Sequence, residues 1–298
     1  MTIFIQVVLP VILIFMIGYI LQRVAKVDIR PISTMAIYVM TPCLVFKTFY
    51  ETELNSQYSY MVLFSFVLMF LIIFMCKIYT KIRKIDLSTE NALILSTAFM
   101  NTGNYGTPII LFAYGEAGFQ FAISAMVLQS ILMNFFGVYY AVKGKAGIRI
   151  AMKSVAKMPA SYAAILALIL NFTQVKIPDN LFGTVDLISD AAIPMVMVIL
   201  GMQLAMIKWG NFDWENITFS VILRMFISPV LAWVLVSLMP LDPLLGKVLI
   251  VSAAMPSAAT IVMYAVQFQA QPKLVSSVTL ITTLISIPTI TILIMILG

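Results

Sequence analysis

The chain has 298 residues, 62% of them hydrophobic and 10% charged, with a net charge of +6 and a mean hydropathy of +1.06. Soluble domains carry about 25% charged residues, so this composition describes a polytopic membrane protein with almost no room for a soluble domain. The basic residues sit between apolar spans, which excludes a nucleic-acid footprint, and the lack of histidine excludes histidine metal ligands and general bases.

A bilayer-crossing helix needs roughly 20 mostly apolar residues. Ten such spans are predicted, at about 3–22, 32–50, 59–80, 90–113, 118–142, 148–171, 181–207, 217–238, 246–268 and 272–297. The apolar N-terminus lacks a basic n-region and a small-residue cleavage site, so it is expected to be the first membrane helix and not a signal peptide. Cys43 and Cys76 fall in separate spans and are expected to be packing residues, not a disulfide or redox pair. Fourteen of the 18 basic residues lie in alternate loops, including Lys77 to Lys84, Lys143 to Lys157, and Lys208. Lys47, Lys176 and Lys247 lie on the other side, and Arg224 falls inside a span. This bias places the loop after the first span in the cytoplasm and both termini outside.

The Lys143–Lys157 cluster divides the chain into five spans on either side, with repeats expected at 1–145 and 146–298. Five spans per half would put the halves in opposite orientation. Pro42 and Pro108 in the first half match Pro194 and Pro256 in the second, which favours an inverted repeat. The predicted fold is therefore all-α, with ten transmembrane helices as two inverted five-helix repeats.

The fourth span contains Asn101-Thr102-Gly103-Asn104-Tyr105-Gly106-Thr107-Pro108, which a helix cannot cross undisturbed. A break at membrane depth is tolerated only where protein or a water-filled cavity satisfies the backbone, and it points to a transporter's binding site. A second break is expected at Ser252–Pro256. Each proline would open a new half-helix at its first turn, with Thr107 as a cap for the first. Two half-helix N-termini near the midplane would suit an anion, especially a carboxylate. Asn101, Asn104 and Thr107, with Ser252, Ser257 and Thr260 opposite, would add neutral hydrogen-bonding groups. The alternative at each position is a proline that merely kinks a packed helix.

Three further features have two readings each. Ser276, Thr279, Thr283 and Ser286 form one helical face of the last span, either lining the cavity or packing against neighbours. Asp190 and Arg224 are the ionisable residues deepest in apolar sequence. At 1.5 Å per residue their depths differ by only about 6 Å, so they are expected to form an ion pair, or Asp190 a coupling site. Lys47, with Glu51 and Glu53 nearby, is expected to snorkel to the interface. Trp209, Trp214 and Trp233 fit interfacial anchors or packing. No close pair of carboxylates lies within the spans, so no enzyme, metal or cofactor is expected.

Asn101-Thr-Gly-Asn-Tyr-Gly-Thr-Pro108 resembles the fourth-helix signature of the auxin efflux carrier family, which includes plant PIN proteins and bacterial permeases. Ala254-Met-Pro-Ser-Ala258 with Tyr264-Ala-Val-Gln-Phe268 is similar to its ninth helix. Ser276 to Pro288 is similar to its tenth, and Ile193-Pro194 with Leu200-Gly201 to its seventh. The resemblance spans the chain, without the long central loop of many plant members. It implies helices 4 and 9 crossing at prolines, a fold shared with NhaA and the bile-acid symporters, and elevator-type transport of a small organic anion such as an indole acid, malate or malonate. The substrate region it implies is Asn101, Asn104, Tyr105, Thr107 and Pro108 with Ser252, Pro256 and Ser257. It also suggests a homodimer in the lipid bilayer of the cytoplasmic membrane. A sodium-coupled symporter of the bile-acid type and a non-transporting membrane sensor are the competing readings.

Overall fold

The computed structural model describes residues 4–51, 56–142, 149–150, 152–153, 156–206 and 213–298. The expected repeat boundary at 145/146 lies outside these residues, as do Glu53, Lys143, Lys145, Lys208 and Trp209. The described residues are almost wholly helical. Among the described residues, seven helical runs are long and apolar enough to cross a membrane: Ile5–Ala25, Ile29–Glu51, Ser56–Arg83, Thr102–Ala141, Asp179–Met206, Trp214–Ser237 and Pro272–Leu297. Pro159–Phe172 and Pro243–Ala253 are shorter apolar helices.

Aspartates mark several helix starts outside the apolar stretches. Asp86 accepts from the Ser88 and Thr89 amides at 2.9 and 3.1 Å, and Asp242 from the Leu244 and Leu245 amides at 2.8 and 3.2 Å. Asp28 and Asp213 cap Ile29–Met35 and Trp214–Val221 in the same way. Each satisfies amides that a first turn leaves unpaired. Pro243 follows its cap directly, at a position where a missing N–H costs no helical bond.

The fourth and fifth spans, expected at 90–113 and 118–142, part at Gly115, whose backbone is non-helical (φ 65°, ψ −164°) between two helical stretches. A side chain is strongly disfavoured at that φ, so glycine permits the corner. The seventh span is interrupted at Ala191, between Asp179–Asp190 and Ala192–Met206, with Pro194 in the first turn of the second piece.

The chain forms two compact units, each drawing on both sequence halves. The first comprises Met1–Leu54, Gly103–Val127 and Ala156–Met206. Its centre is the packing of Leu9–Ala25 against Ala192–Met206 through Gly18 and Gly201. A Cβ on Gly18 would lie 2.1 Å from the Val198 carbonyl oxygen, and one on Gly201 would lie 2.0 Å from that of Phe15. Small residues let backbones approach this closely where lipid offers no hydrophobic drive for association.

The second unit comprises Asn55–Thr102, Leu128–Val155 and Ile207–Gly298. Two of its helices are buried along nearly their whole length: Leu87–Ala98, buried from Asn91 onward, and Pro243–Ala253, buried from Leu245 except for Lys247. Such all-round burial accounts for the continuous apolar runs in their sequences. Cys76 is buried here and Cys43 half-buried in the first unit; both are free thiols.

Candidate functional site

Both expected interruptions are present, and within the second unit they meet. Leu87–Ala98 ends where Phe99 becomes extended (φ −110°, ψ 110°). Pro243–Ala253 ends in a non-helical stretch before Ala259–Phe268 begins. The two extended stretches form a short antiparallel bridge between Met100 and Ser257. The Asn101 amide donates to the Pro256 carbonyl at 2.8 Å, and the Ala258 amide to the Phe99 carbonyl at 3.0 Å. Two helices thus break side by side, and each satisfies backbone groups the other exposes, as an apolar interior requires.

The geometry corrects the expected position of each break. The first lies at Phe99–Asn101, not at Asn104–Pro108. The chain recoils at once through a wide π-helical turn, Thr102–Gly106, and continues as α-helix from Thr107. Pro108 therefore sits near a helix start, where its missing N–H is harmless. Pro256 lies in the extended stretch three residues before its half-helix, not in the first turn. Its fixed φ suits extended backbone, and its carbonyl accepts the Asn101 amide. Thr107 is no cap: its hydroxyl donates to the Gly103 carbonyl at 2.5 Å, because the preceding turn leaves that acceptor within reach.

The expected substrate residues divide between the units. Asn101, Ser252, Pro256 and Ser257 belong to the second, and Asn104, Tyr105, Thr107 and Pro108 to the first. Ser257 is fully buried. Its hydroxyl donates to the Ser96 carbonyl and its amide to the Thr282 hydroxyl at 3.3 Å, so it fastens the bridge. Asn101 and Ser252 differ from it. They are 6% and 4% exposed; the Ser252 hydroxyl is buried with no partner among the described residues, and the Asn101 carboxamide makes no hydrogen bond among them. Buried polar groups are normally paired, so these two stand ready for something else. The Ala259 helix start, two residues beyond the bridge, has no side-chain cap, unlike the aspartate-capped helices. In the first unit the Asn104 carboxamide is half-buried and also makes no hydrogen bond among the described residues. Tyr105 is buried with its ring 5.3 Å from that of Phe15.

Asp190 belongs to the first unit and Arg224 to the second, and each has partners within its own unit. Asp190 lies 3.5 Å from Lys47, which also binds Asp186 closely. Lys47 is therefore ion-paired and does not simply snorkel. Arg224 is fully buried and donates to oxygens of the backbone and of one hydroxyl.

The first unit also holds a cavity of about 390 Å³, whose walls include Lys47, Glu51, Glu116 and Asp190. Three carboxylates stand there against one ammonium that is already paired, so the cavity suits an anion poorly. The stripe on the last helix resolves toward packing: Thr279, Thr283 and Ser286 are buried, and their hydroxyls donate to carbonyls of their own helix at 2.9, 2.7 and 2.7 Å. Thr282, off that stripe, is the residue that reaches the bridge. Sequence alone gives neither it nor Thr97, Ser228 or Asp186 the contact the structure shows. The spacing Arg224/Ser228, one helical turn, was the available signal for Ser228.

The sequence matches the family described as membrane transport protein over residues 3–294. An uncharacterised transporter of Methanocaldococcus jannaschii is 28% identical, over 95% of this chain and 95% of that protein. An uncharacterised transporter of Methanothermobacter thermautotrophicus is 27% identical, over 95% of this chain and 94% of that one. With its apolar helical runs and its matched interruptions, the chain is a multi-pass membrane protein that belongs to the membrane transport protein family, the auxin efflux carriers.

Proposed function

We propose that this transporter is a secondary carrier for a small organic anion, an indole acid or a dicarboxylate such as malate or malonate, across the cytoplasmic membrane. The observation that carries the reading is the state of the polar groups around the helix bridge. The Ser252 hydroxyl is buried without a partner among the described residues, the Asn101 carboxamide makes no hydrogen bond among them, and the Asn101 amide is bonded to Pro256, three residues before an uncapped helix start. Amide N–H groups at a helix N-terminus and neutral donors together favour a carboxylate. Asn104, on the turn that follows the bridge, supplies a further carboxamide. In the second unit Pro256 fixes the backbone that bonds Asn101 and Ser257 fastens it; in the first, Thr107 and Pro108 hold the backbone after Asn104, and Tyr105 packs against Phe15.

The wider reading is ten helices in two inverted repeats, with both termini outside and elevator-type alternating access. The interruption of both the fourth and the ninth span supports the repeat, and the fourteen basic residues in alternate loops support the orientation. Division into two compact units, each built from both halves, supports transport by movement of one body against another. A homodimer is part of this reading.

Counterflow of labelled malate and of labelled indole-3-acetate in proteoliposomes tests it, since exchange needs no known driving force. Saturable exchange of either acid is expected. No exchange of either by folded protein would remove both named substrate classes.

A further inference from the structure

We propose that the guanidinium of Arg224 is a built-in cation. It fills a monovalent-cation site formed where the C-terminal ends of the two interrupted helices come together. One Nη donates to the Thr97 carbonyl at 2.8 Å; the other donates to the Ser228 hydroxyl at 2.8 Å and closely to the Ala253 carbonyl. Ser228 passes the contact on, donating to the same Ala253 carbonyl at 2.9 Å. Thr97 is in the last turn of Leu87–Ala98, and Ala253 ends Pro243–Ala253.

The carbonyls of a last helical turn have no partner within the helix. Each such end carries about half a negative charge. Two ends brought together therefore amount to about one negative charge, which one guanidinium offsets. Among the described residues no carboxylate is a hydrogen-bond partner of Arg224, and an arginine stays charged. The side chain is 0% exposed and its Nε has no partner among the described residues. A group kept merely for its hydrogen bonds would not leave a buried donor empty, whereas a positive charge opposite two helix ends accounts for it. Backbone carbonyls at half-helix C-termini are also what coordinates Na⁺ in discontinuous-helix carriers. Here the protein supplies the cation covalently. On the carrier reading above, exchange would then be indifferent to Na⁺. That consequence rests on the reading; the site does not.

Stability without substrate keeps the two claims separate. The melting temperature of purified protein would be followed in detergent with millimolar guanidinium, Na⁺ or K⁺, against choline at equal ionic strength. Wild type should not respond. Arg224→Met, which keeps length and loses charge, should melt at least about 5 °C lower, and Arg224→Lys should keep most of the stability. Arg224→Ala, which empties the site, should regain at least half of its loss in guanidinium or in one of the alkali ions. The proposal is overturned by an Arg224→Met protein as stable as wild type, by an Arg224→Ala protein that no cation stabilises, or by failure of Arg224→Lys to fold. If Arg224→Ala does not fold without added cation, the order of the Lys and Met variants decides.

Discussion

Gly201→Ala sets two effects against each other, and the structure decides the sign. In an unobstructed helix the change favours folding by about 1 kcal/mol. Here the new Cβ would stand 2.0 Å from the Phe15 carbonyl oxygen, and ordinary contact begins at 3.4 Å. The obstacle is backbone, so no rotamer change relieves it. Leu9–Ala25 and Ala192–Met206 would have to separate locally by about 1.4 Å along a tightly packed seam. Overpacking of this kind costs about 1–3 kcal/mol, and a backbone obstacle belongs at the top of that range. The net loss is about 2 kcal/mol. At roughly 2–4 °C per kcal/mol for a protein near this size, the melting temperature should fall by about 4–8 °C. Gly18→Ala, 2.1 Å from the Val198 carbonyl oxygen, should behave alike. The double variant should lose less than the sum, because one separation relieves both contacts. Gly183→Ala is the control: an added Cβ there meets nothing within 4 Å, so stability should hold or rise. Thermal unfolding followed by tryptophan fluorescence in detergent measures all four. A Gly201→Ala protein as stable as wild type would refute the packing argument.

Asn104→Ala should abolish counterflow while the melting temperature stays within about 2 °C of wild type, since the carboxamide makes no hydrogen bond among the described residues; wild-type flux at equal expression would remove Asn104 from the site. Ser257→Ala should cost about 1–3 kcal/mol, because it leaves the buried Ser96 carbonyl without its donor, and an unshifted unfolding transition would show the bridge to be held otherwise. The Asp86 carboxyl lies outside the spans and is held below its ordinary value, first by the Thr89 hydroxyl and then by the Thr89 and Ser88 amides. Its contribution is therefore complete above the unfolded value of about 3.9 and is lost as pH falls through the lower folded one. Asp86→Asn, which keeps a capping oxygen, should remove that part of the acid dependence in a pH series of melting temperatures.

The spans were legible wherever a single apolar run forms a single helix; the last one, at 272–297, coincides with the helix found. The first break was legible because Asn101–Pro108 concentrates residues that resist helix. Its position was not, since the helix ends where Phe99 and Asn101 bond a segment about 155 residues away. The glycines and the proline mark the chain's recovery from the break, and a long-range pairing sets the break itself. Arg224 was conspicuous as a charge in an apolar run, but its partners are carbonyls, which any residue supplies and no sequence distinguishes. Lys47 and Asp186 fail the same way: they stand 139 residues apart, and each reads alone as an interfacial charge. The Asp86 and Asp242 caps are readable from local pattern, each an aspartate just ahead of a helical run.

The polar groups near the helix bridge sort by what they face. Ser257 and Arg224 answer carbonyls left over at Ser96, Thr97 and Ala253, and Thr282 answers an amide. These are debts of the interruption itself, and leaving one unmet in an apolar interior costs about 1–3 kcal/mol. Asn101 and Ser252 meet no such need: the backbone beside them is already paired, yet both are more than nine-tenths buried. Leucine at either place would spare the cost of burying a polar group. Groups of the first kind hold the break open whatever the cargo. On the carrier reading proposed above, groups of the second kind serve the cargo, so substitutions should separate along that line. Loss of Ser257 or Arg224 should lower stability before it alters selectivity. Asn101→Leu should leave stability unchanged or higher while exchange is lost. An Asn101→Leu protein that exchanges malate and indole-3-acetate no differently from wild type would show that the open carboxamide serves neither cargo.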